Sequence, residues 1–228
     1  MTNEPQSLAE IVGQPCVRHL KAYADACQAA NLKGERAASK CWLLTGSTGT
    51  GKSSSAIALS HELGCHDEFT GRWRFGCAEL SVEKARDLFD GTLRLRYGST
   101  SGFKCLILEE LEWISPQCSR LLKMTLDPLG KLLPNLCVVA TSNDISGLDD
   151  ALLSRFKHMP YSDGQHFAQA CQAKLLKLWQ EQTGLDEPPA GSSIWGWDIR
   201  GKKVTFDMRQ ALSSLQDALD QHLLESAA

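Results

Sequence analysis

The amino-acid sequence predicts an α/β fold in which helices flank a five-stranded parallel sheet. Short apolar runs alternate with segments of helical periodicity over residues 1–160, as in chains that form parallel sheets. A glycine-rich stretch separates the first apolar run from a helical segment, and charged or amide side chains follow two later runs. After residue 160 the strand pattern stops, so we expect a core over 1–160 and a small helical lid over 161–228.

Each predicted element follows from its local pattern. Five apolar runs predict strands: Cys41–Thr45, Trp73–Cys77, Lys104–Leu108, Leu136–Thr141 and, more weakly, Lys157–Pro160. Helical periodicity predicts helices over Lys52–Leu63, Ser81–Phe89, Pro116–Leu126, Gln165–Gln182 and Asp207–Leu224. Ser81 and Ser115 are typical N-caps, and Pro116 stands at a first helical position. Glycine and proline between Thr183 and Lys203 predict a loop or an irregular insert.

Composition limits the classes of function. A net charge of −3 argues against a protein that coats nucleic acid through charge alone. No apolar run reaches the roughly 18 residues of a membrane span, and no secretory signal is evident, so we expect no membrane partner and a cytoplasmic or nuclear location. Nine cysteines without a C-x-x-C pair fit neither a disulfide framework nor a zinc site.

The glycine-rich stretch carries the strongest functional signal. It matches the pattern G-x-x-x-x-G-K-[ST] over Gly46, Ser47, Thr48, Gly49, Thr50, Gly51, Lys52 and Ser53. Glycines allow backbone N–H groups to approach phosphate oxygens, and the following helix adds its positive N-terminal end. We expect Lys52 to reach the β and γ phosphates and the Ser53 hydroxyl to ligate Mg²⁺, which makes this stretch a P-loop for ATP.

Polar side chains end two of the predicted strands. Glu109 and Glu110 follow the run Lys104–Leu108, and Asn143 follows the run Leu136–Thr141. Because such side chains meet at the carboxyl edge of a parallel sheet, we expect Glu109 to support Mg²⁺ and Glu110 to act as general base for the attacking water. Asn143 is expected to hold either that water or the γ phosphate.

The order of these motifs resembles the AAA+ family, and within it the clamp-loader branch of replication factor C small subunits. The resemblance covers nearly the whole chain. It is carried by the P-loop, the acidic pair and Asn143, together with Ile11-Val12-Gly13-Gln14, Leu152-Leu153-Ser154-Arg155-Phe156 and Phe206-Asp207-Met208-Arg209-Gln210-Ala211-Leu212.

The resemblance implies further roles. Ile11 and Val12 would lie beside the adenine, Arg155 would act as an arginine finger on ATP held by a neighbouring subunit, and Arg209 would close the lid onto the γ phosphate. It also implies a homo- or hetero-oligomer of AAA+ subunits that hydrolyses ATP with Mg²⁺ to remodel or load a DNA-associated protein assembly. An ATP-dependent assembly module with little hydrolysis, and a protein-remodelling chaperone without DNA, remain alternatives.

The sequence departs from the clamp-loader pattern at several points. Glu109 and Phe156 stand where Asp and Cys are usual, and an insert containing Trp195 and Trp197 replaces a lid helix. The sequence ends at Ala228, so we expect no C-terminal collar in this chain. Arg72–Arg74 and Arg94–Tyr97 mix basic and aromatic residues, a pattern that can bind nucleic acid but fits better with alternation on a half-buried strand. The resemblance adds Ser81–Arg86 as a candidate DNA contact, because clamp loaders track DNA with a helix at this place.

Overall fold

A computed structural model describes residues 4–95, 102–127, 132–188, 197–200 and 203–226 of the chain. Side chains are not described for 197–200, 203–205 and 226. The elements in chain order are α1 Val17–Leu32, β1 Lys40–Thr45, α2 Lys52–Glu62, β2 Arg72–Gly76, α3 Val82–Arg86, β3 Lys104–Glu109, α4 Pro116–Thr125, β4 Leu136–Ser142, α5 Asp150–Leu153, β5 Lys157–Pro160, α6 Gln165–Thr183, β6 Trp197–Arg200, β7 Lys203–Phe206 and α7 Met208–Ser226.

The predicted five-stranded parallel sheet is confirmed. Its strand order is β2-β3-β4-β1-β5, and every neighbouring pair is parallel. The chain enters at β1, crosses to β2 at one edge, and returns through β3 and β4 to lie beside β1 again. The carboxyl ends of β1 and β4 therefore adjoin, with Thr45 opposite Ser142. Open α/β sheets bind ligands in the crevice beyond such a reversal of strand order.

Apolar side chains cover both faces of this sheet, which explains why its central strands read as continuous apolar runs. In β1, Trp42 and Leu44 pack on one face, with α1 and α2, whereas Leu43 packs on the other with α3 and α4. All four of the interior β1 residues are buried. The two layers hold the loops at the carboxyl edge in a rigid frame.

Helix α1 was not anticipated from the sequence. It spans Val17–Leu32 and buries Leu20, Ala24 and Cys27 against the same cluster as Trp42. Its N-cap, Cys16, makes no side-chain capping bond, so the usual start signal is missing. Within the described parts of the chain, no helix combines the length and apolar character that crossing a membrane requires.

The lid has its own apolar cluster, in which Phe167 and Trp179 of α6 pack with Phe206 and with Leu215 of α7. The prediction of a loop over Thr183–Lys203 is wrong at its C-terminal end, because β6 and β7 form an antiparallel hairpin. Apolar and polar residues alternate along both strands, which suits a hairpin. Trp195 lies outside the described residues. The division at 160/161 stays a proposal.

Candidate nucleotide-binding site

The P-loop connects β1 to α2 and has a backbone that only glycine tolerates well. Gly46, Gly49 and Gly51 have φ of 143°, 76° and 94°. A β-carbon on Gly46 would lie 2.5 Å from the carbonyl oxygen of Tyr161, and one on Gly49 would lie 2.1 Å from Oδ1 of Asp207. The loop is thus closely flanked by the start of the lid on one side and by the start of α7 on the other.

The loop presents unpaired backbone donors. Among the described residues, the N–H groups of Thr48, Gly49 and Gly51 donate no hydrogen bond to protein acceptors. The N–H groups of Lys52 and Ser53 open α2, where intrahelical acceptors are lacking. Donors of this kind, together with the helix dipole, form a ready anion site.

Lys52 is folded into the loop and is 7% exposed. Its Nζ donates to the carbonyl oxygens of Gly46 and Ser47, each at 2.7 Å, and to Oδ1 of Asn143 at 3.0 Å. Burial, with a further contribution from the positive charge of Arg209, lowers the pKa of the Lys52 ammonium to about 8. The ammonium is therefore poorly solvated, and an anion at the loop would stabilise its charged form.

The segment before α1 contacts the loop through Gln14. The Gln14 side chain is buried, and its Nε2 donates to the carbonyl oxygens of Thr50 at 3.1 Å and Ser162 at 2.8 Å. Ile11 lies beside Gly51, and Val12 packs against the lid cluster. The predicted adenine-side residues thus lie where core, loop and lid meet.

The chain that leaves β5 is tied to the same loop. The N–H of Tyr161 donates to the carbonyl of Thr45 at 2.7 Å, and the Ser47 hydroxyl donates to Oδ2 of Asp163 at 2.6 Å. Thr50 stays within the loop, where its hydroxyl donates to the Ser47 carbonyl at 2.7 Å. These hydrogen bonds link the segment after β5 directly to the P-loop.

The N-terminus of α7 also contacts the loop. The N–H of Met208 donates to the carbonyl of Gly49 at 3.2 Å. Asp207 is buried and accepts from the N–H groups of Arg209 at 3.0 Å and Gln210 at 3.3 Å, which makes it the N-cap of this helix. Arg209 is therefore held at the loop from the lid side. The sequence predicts Asp207 as the first residue of the final helix, whereas it is the residue that caps this helix.

Glu109 ends β3 and is engaged by an arginine of the neighbouring strand. Arg74 on β2 donates from Nε to Oε2 of Glu109 at 2.7 Å and from a terminal nitrogen to Oε1 at 3.1 Å. In a second ion pair, Nη1 of Arg74 lies 3.6 Å from Oε1 of Glu4.

The structure bears on two of the segments considered as DNA contacts. In the segment Arg72–Arg74, Trp73 is 5% exposed, so its ring belongs to the core and offers no face to a nucleic-acid base. Of the Arg94–Tyr97 candidate, Arg96 and Tyr97 lie outside the described residues.

Glu110 has an unusual backbone for a non-glycine residue. Its φ and ψ are 55° and 56°, in the left-handed region, and its N–H donates to the Thr141 hydroxyl at 3.3 Å. Strained residues of this kind cluster at functional sites. The twist directs the chain away from β3 and leaves the Glu110 side chain exposed at the carboxyl edge.

A third carboxylate, which sequence reasoning missed, lies at the site. Oε1 of Glu112 accepts from the backbone N–H of Asn143 at 3.1 Å and from its Nδ2 at 3.0 Å. Glu112, Asn143 and Lys52 thus form a continuous hydrogen-bonded chain from the turn after β3 to the P-loop. The spacing Glu109-Glu110-x-Glu112 was the available signal.

Arg155 does not join this cluster. It follows α5, and its Nε donates to the carbonyl of Lys123 at the C-terminal end of α4, at 3.3 Å. Lys123 in turn pairs with Asp149 at 2.6 Å, so this corner is held by polar contacts of its own. A role for Arg155 in trans stays a prediction.

The oxygen ligands available at the site suit a hard divalent cation. Ser53 offers a hydroxyl in the first turn of α2, and the C-terminal end of β3 with the residue after it offers the carboxylates of Glu109 and Glu110. Mg²⁺ prefers such oxygen donors and usually shares them with phosphate oxygens and water. To support the ion, Glu109 would have to give up at least one of its two hydrogen bonds with Arg74.

A glycine-rich loop with a buried lysine connects β1 to α2, and carboxylates lie at the carboxyl end of β3 in the same sheet. These features define a P-loop nucleotide-binding protein. The match to a family model identifies the particular branch. Residues 42–163, more than half of the chain, match the model described as "ATPase family associated with various cellular activities (AAA)". The chain belongs to the AAA family.

Curated proteins with similar sequences are replication factor C small subunits. The one from Methanoregula boonei is 25% identical over 224 residues, which cover 94% of this chain and 61% of the relative. The one from Thermoplasma volcanium is 28% identical over 130 residues, or 54% of this chain and 36% of the relative. The chain thus spans about three-fifths of the length of the first relative.

Solved structures show the same fold. The Holliday junction branch migration motor RuvB of Thermotoga maritima superposes with a TM-score of 0.55 at 20% identity, covering 79% of this chain and 54% of that one. The Orc1 protein of Aeropyrum pernix, solved in complex with DNA, gives a TM-score of 0.51 at 17% identity, covering 74% of this chain and 50% of that one. At such identities the likeness establishes architecture.

Proposed function

We propose that this chain binds ATP with Mg²⁺ in the P-loop and hydrolyses it to ADP and phosphate at interfaces between subunits of an oligomer. One observation carries the proposal: among the described residues the loop leaves the N–H groups of Thr48, Gly49 and Gly51 without protein acceptors, and it buries Lys52 beside them. The positive electrostatic potential of that arrangement attracts a triphosphate strongly and a neutral ligand only weakly.

The roles proposed for the residues follow from their chemistry. Lys52 leaves the carbonyls of Gly46 and Ser47 for phosphate oxygens, because a charged oxygen is the stronger acceptor. Ser53 and Glu109 support Mg²⁺, and Glu110 takes the proton of the attacking water. When bound, the metal ion would neutralise charge that develops on the phosphates.

Two arginines supply the remaining positive charge. Arg209, held at the loop by the cap of α7, would stabilise the γ phosphate from the lid. Arg155 would act on ATP in an adjoining subunit, since its own contacts are with α4 rather than with the loop of its own chain. The proposed oligomer is homo- or heteromeric and built of AAA subunits.

The proposed output is the remodelling or loading of a DNA-associated protein assembly. Support comes from the replication factor C relatives and from exposed Lys84 and Arg86 on α3, within the candidate DNA-tracking segment. Isolated basic residues contribute salt-dependent phosphate contacts. DNA would therefore stimulate hydrolysis more at low than at high salt.

Steady-state ATP hydrolysis, measured across protein concentration with and without duplex DNA, tests the proposal. Turnover per chain should rise with concentration as subunits meet, and DNA should raise it further. Turnover that depends on neither would contradict the subunit-interface mechanism, and absence of Mg²⁺-dependent turnover would contradict hydrolysis itself.

A second candidate function is an ATP-dependent assembly module that hydrolyses little. The bidentate pairing of Glu109 with Arg74 favours it, because a carboxylate held by arginine is a weaker partner for a metal ion. Arg74→Ala separates the two candidates. Under the assembly reading the variant hydrolyses ATP faster than the natural chain. Under the main proposal the natural chain already turns over briskly and the substitution changes the rate little.

A further inference from the structure

The hydrogen-bond partners of Asn143 determine which way its amide group faces. The ammonium of Lys52 can only donate, and it lies 3.0 Å from Oδ1 of Asn143. The ionised carboxylate of Glu112 can only accept, and it lies 3.0 Å from Nδ2. A flipped amide would set donor against donor and acceptor against acceptor, so this chain admits one orientation.

We infer that Glu112 is a positioning residue, which holds the Asn143 amide so that its oxygen, and not its NH₂ group, faces the phosphate-binding loop. The inference rests on the proposed ATP hydrolysis. It has a chemical consequence, because phosphate oxygens accept hydrogen bonds and cannot donate to Oδ1. Once Lys52 turns to phosphate, Asn143 therefore binds the O–H of the attacking water and does not bind the γ phosphate.

The contacts of Glu112 favour positioning over direct proton transfer. Its Oε1 already accepts two hydrogen bonds, from the backbone and the side chain of Asn143. Its Oε2 is buried and has no hydrogen-bond partner within the described part of the chain. Glu110, by contrast, is exposed at the same edge and is the better placed base.

A double-mutant cycle of Glu112→Ala and Asn143→Ala tests this coupling. Glu112→Ala should lower kcat by roughly 10-fold to 10²-fold, as expected for a misplaced reactant, with little change in the KM for ATP. In the Asn143→Ala background it should lower kcat no further, because its effect passes through Asn143. Glu112→Gln keeps an acceptor oxygen and should retain most of kcat. Glu68→Ala, an exposed change elsewhere, is the control.

Isosteric variants keep the test intact if Glu112→Ala does not fold. Asn143→Asp sets a carboxylate against that of Glu112 and should lower kcat. Adding Glu112→Gln should restore part of the lost kcat, because the glutamine NH₂ group can donate to the new carboxylate. Additive losses in the first cycle, an effect on KM alone, or no restoration in the second would overturn the inference while leaving ATP hydrolysis standing. A natural chain that does not hydrolyse ATP would overturn both.

Discussion

At the scale of single residues, the site depends on side chains whose neighbours restrict them. Lys52 is buried among carbonyl oxygens, Asn143 is fixed between a donor and an acceptor, and Glu110 has a left-handed backbone. Each arrangement costs free energy: a poorly solvated ammonium, an ordered amide and a strained φ. Such preorganisation is expected where developing charge must be stabilised.

Glu110→Gln tests the base at this scale. The variant should bind ATP as the natural chain does, because the amide is close in size and Lys52 is untouched. Turnover should fall by on the order of 10²-fold or more through loss of the proton acceptor. Single-turnover hydrolysis beside equilibrium ATP binding measures both quantities, with Glu83→Gln on the exposed side of α3 as control. Undiminished turnover would assign the base to another carboxylate.

The residue scale also shows what can be predicted from the sequence. The P-loop follows a pattern whose spacing reflects local backbone chemistry, so it is recognisable without a fold. The pairing of Glu109 with Arg74 joins residues 35 positions apart, and that of Glu112 with Asn143 joins residues 31 apart. Such contacts depend on strand order, which no local pattern specifies.

At the scale of elements, the contact between the P-loop and α7 links nucleotide site and lid. Gly49 passes so close to Asp207 that a side chain there has no room. Strand and helix starts were predictable where caps and apolar runs coincided, as at Ser115 and β4. Helix α1 was missed because it lacks a capping side chain, and the β6–β7 hairpin because its glycine- and proline-rich surroundings indicate a loop.

Gly49→Ala tests this link, with Gly34→Ala as a matched control. Both glycines have positive φ, at 76° and 69°, but a β-carbon at Gly34 meets nothing within 4 Å. Both changes carry the backbone penalty of roughly 1 kcal/mol, and Gly49→Ala must also displace Asp207. Thermal unfolding should therefore show a larger drop in Tm for Gly49→Ala, by roughly 2–4 °C for each additional kcal/mol. Equal drops would mean that the lid contact is not held in solution.

At the scale of the whole molecule, the proposed mechanism divides the catalytic groups between chains. The loop, Asn143 with Glu112, and the N-terminus of α7 come together within one chain, whereas Arg155 contacts α4. Charge supplied by a neighbour would make hydrolysis a property of the assembly. Sequence resemblance suggested this division, and the single chain is compatible with it, because within the described residues Arg155 hydrogen-bonds to α4 and not to the P-loop.

Arg155→Ala tests the division between subunits. The variant should bind ATP normally, but its turnover should not rise with protein concentration. At concentrations where the natural chain is assembled, its turnover should be lower by on the order of 10³-fold if Arg155 serves as an arginine finger. Mixing it with Glu110→Gln should restore activity, since each chain supplies the group that the other lacks. Arg36→Ala, an exposed change before β1, is the control. Activity that persists without Arg155 at every concentration would contradict the trans arrangement.

The central claim is that the turn after β1 binds a nucleoside triphosphate. Equilibrium binding of a fluorescent ATP analogue with Mg²⁺ tests it most directly, on the natural chain, on Lys52→Ala and on the exposed control Lys33→Ala. Removing the ammonium should weaken binding by about 30-fold or more, corresponding to about 2 kcal/mol, while the control binds normally. A folded Lys52→Ala chain that binds the analogue as tightly as the natural chain, or a natural chain that binds none, would contradict the claim.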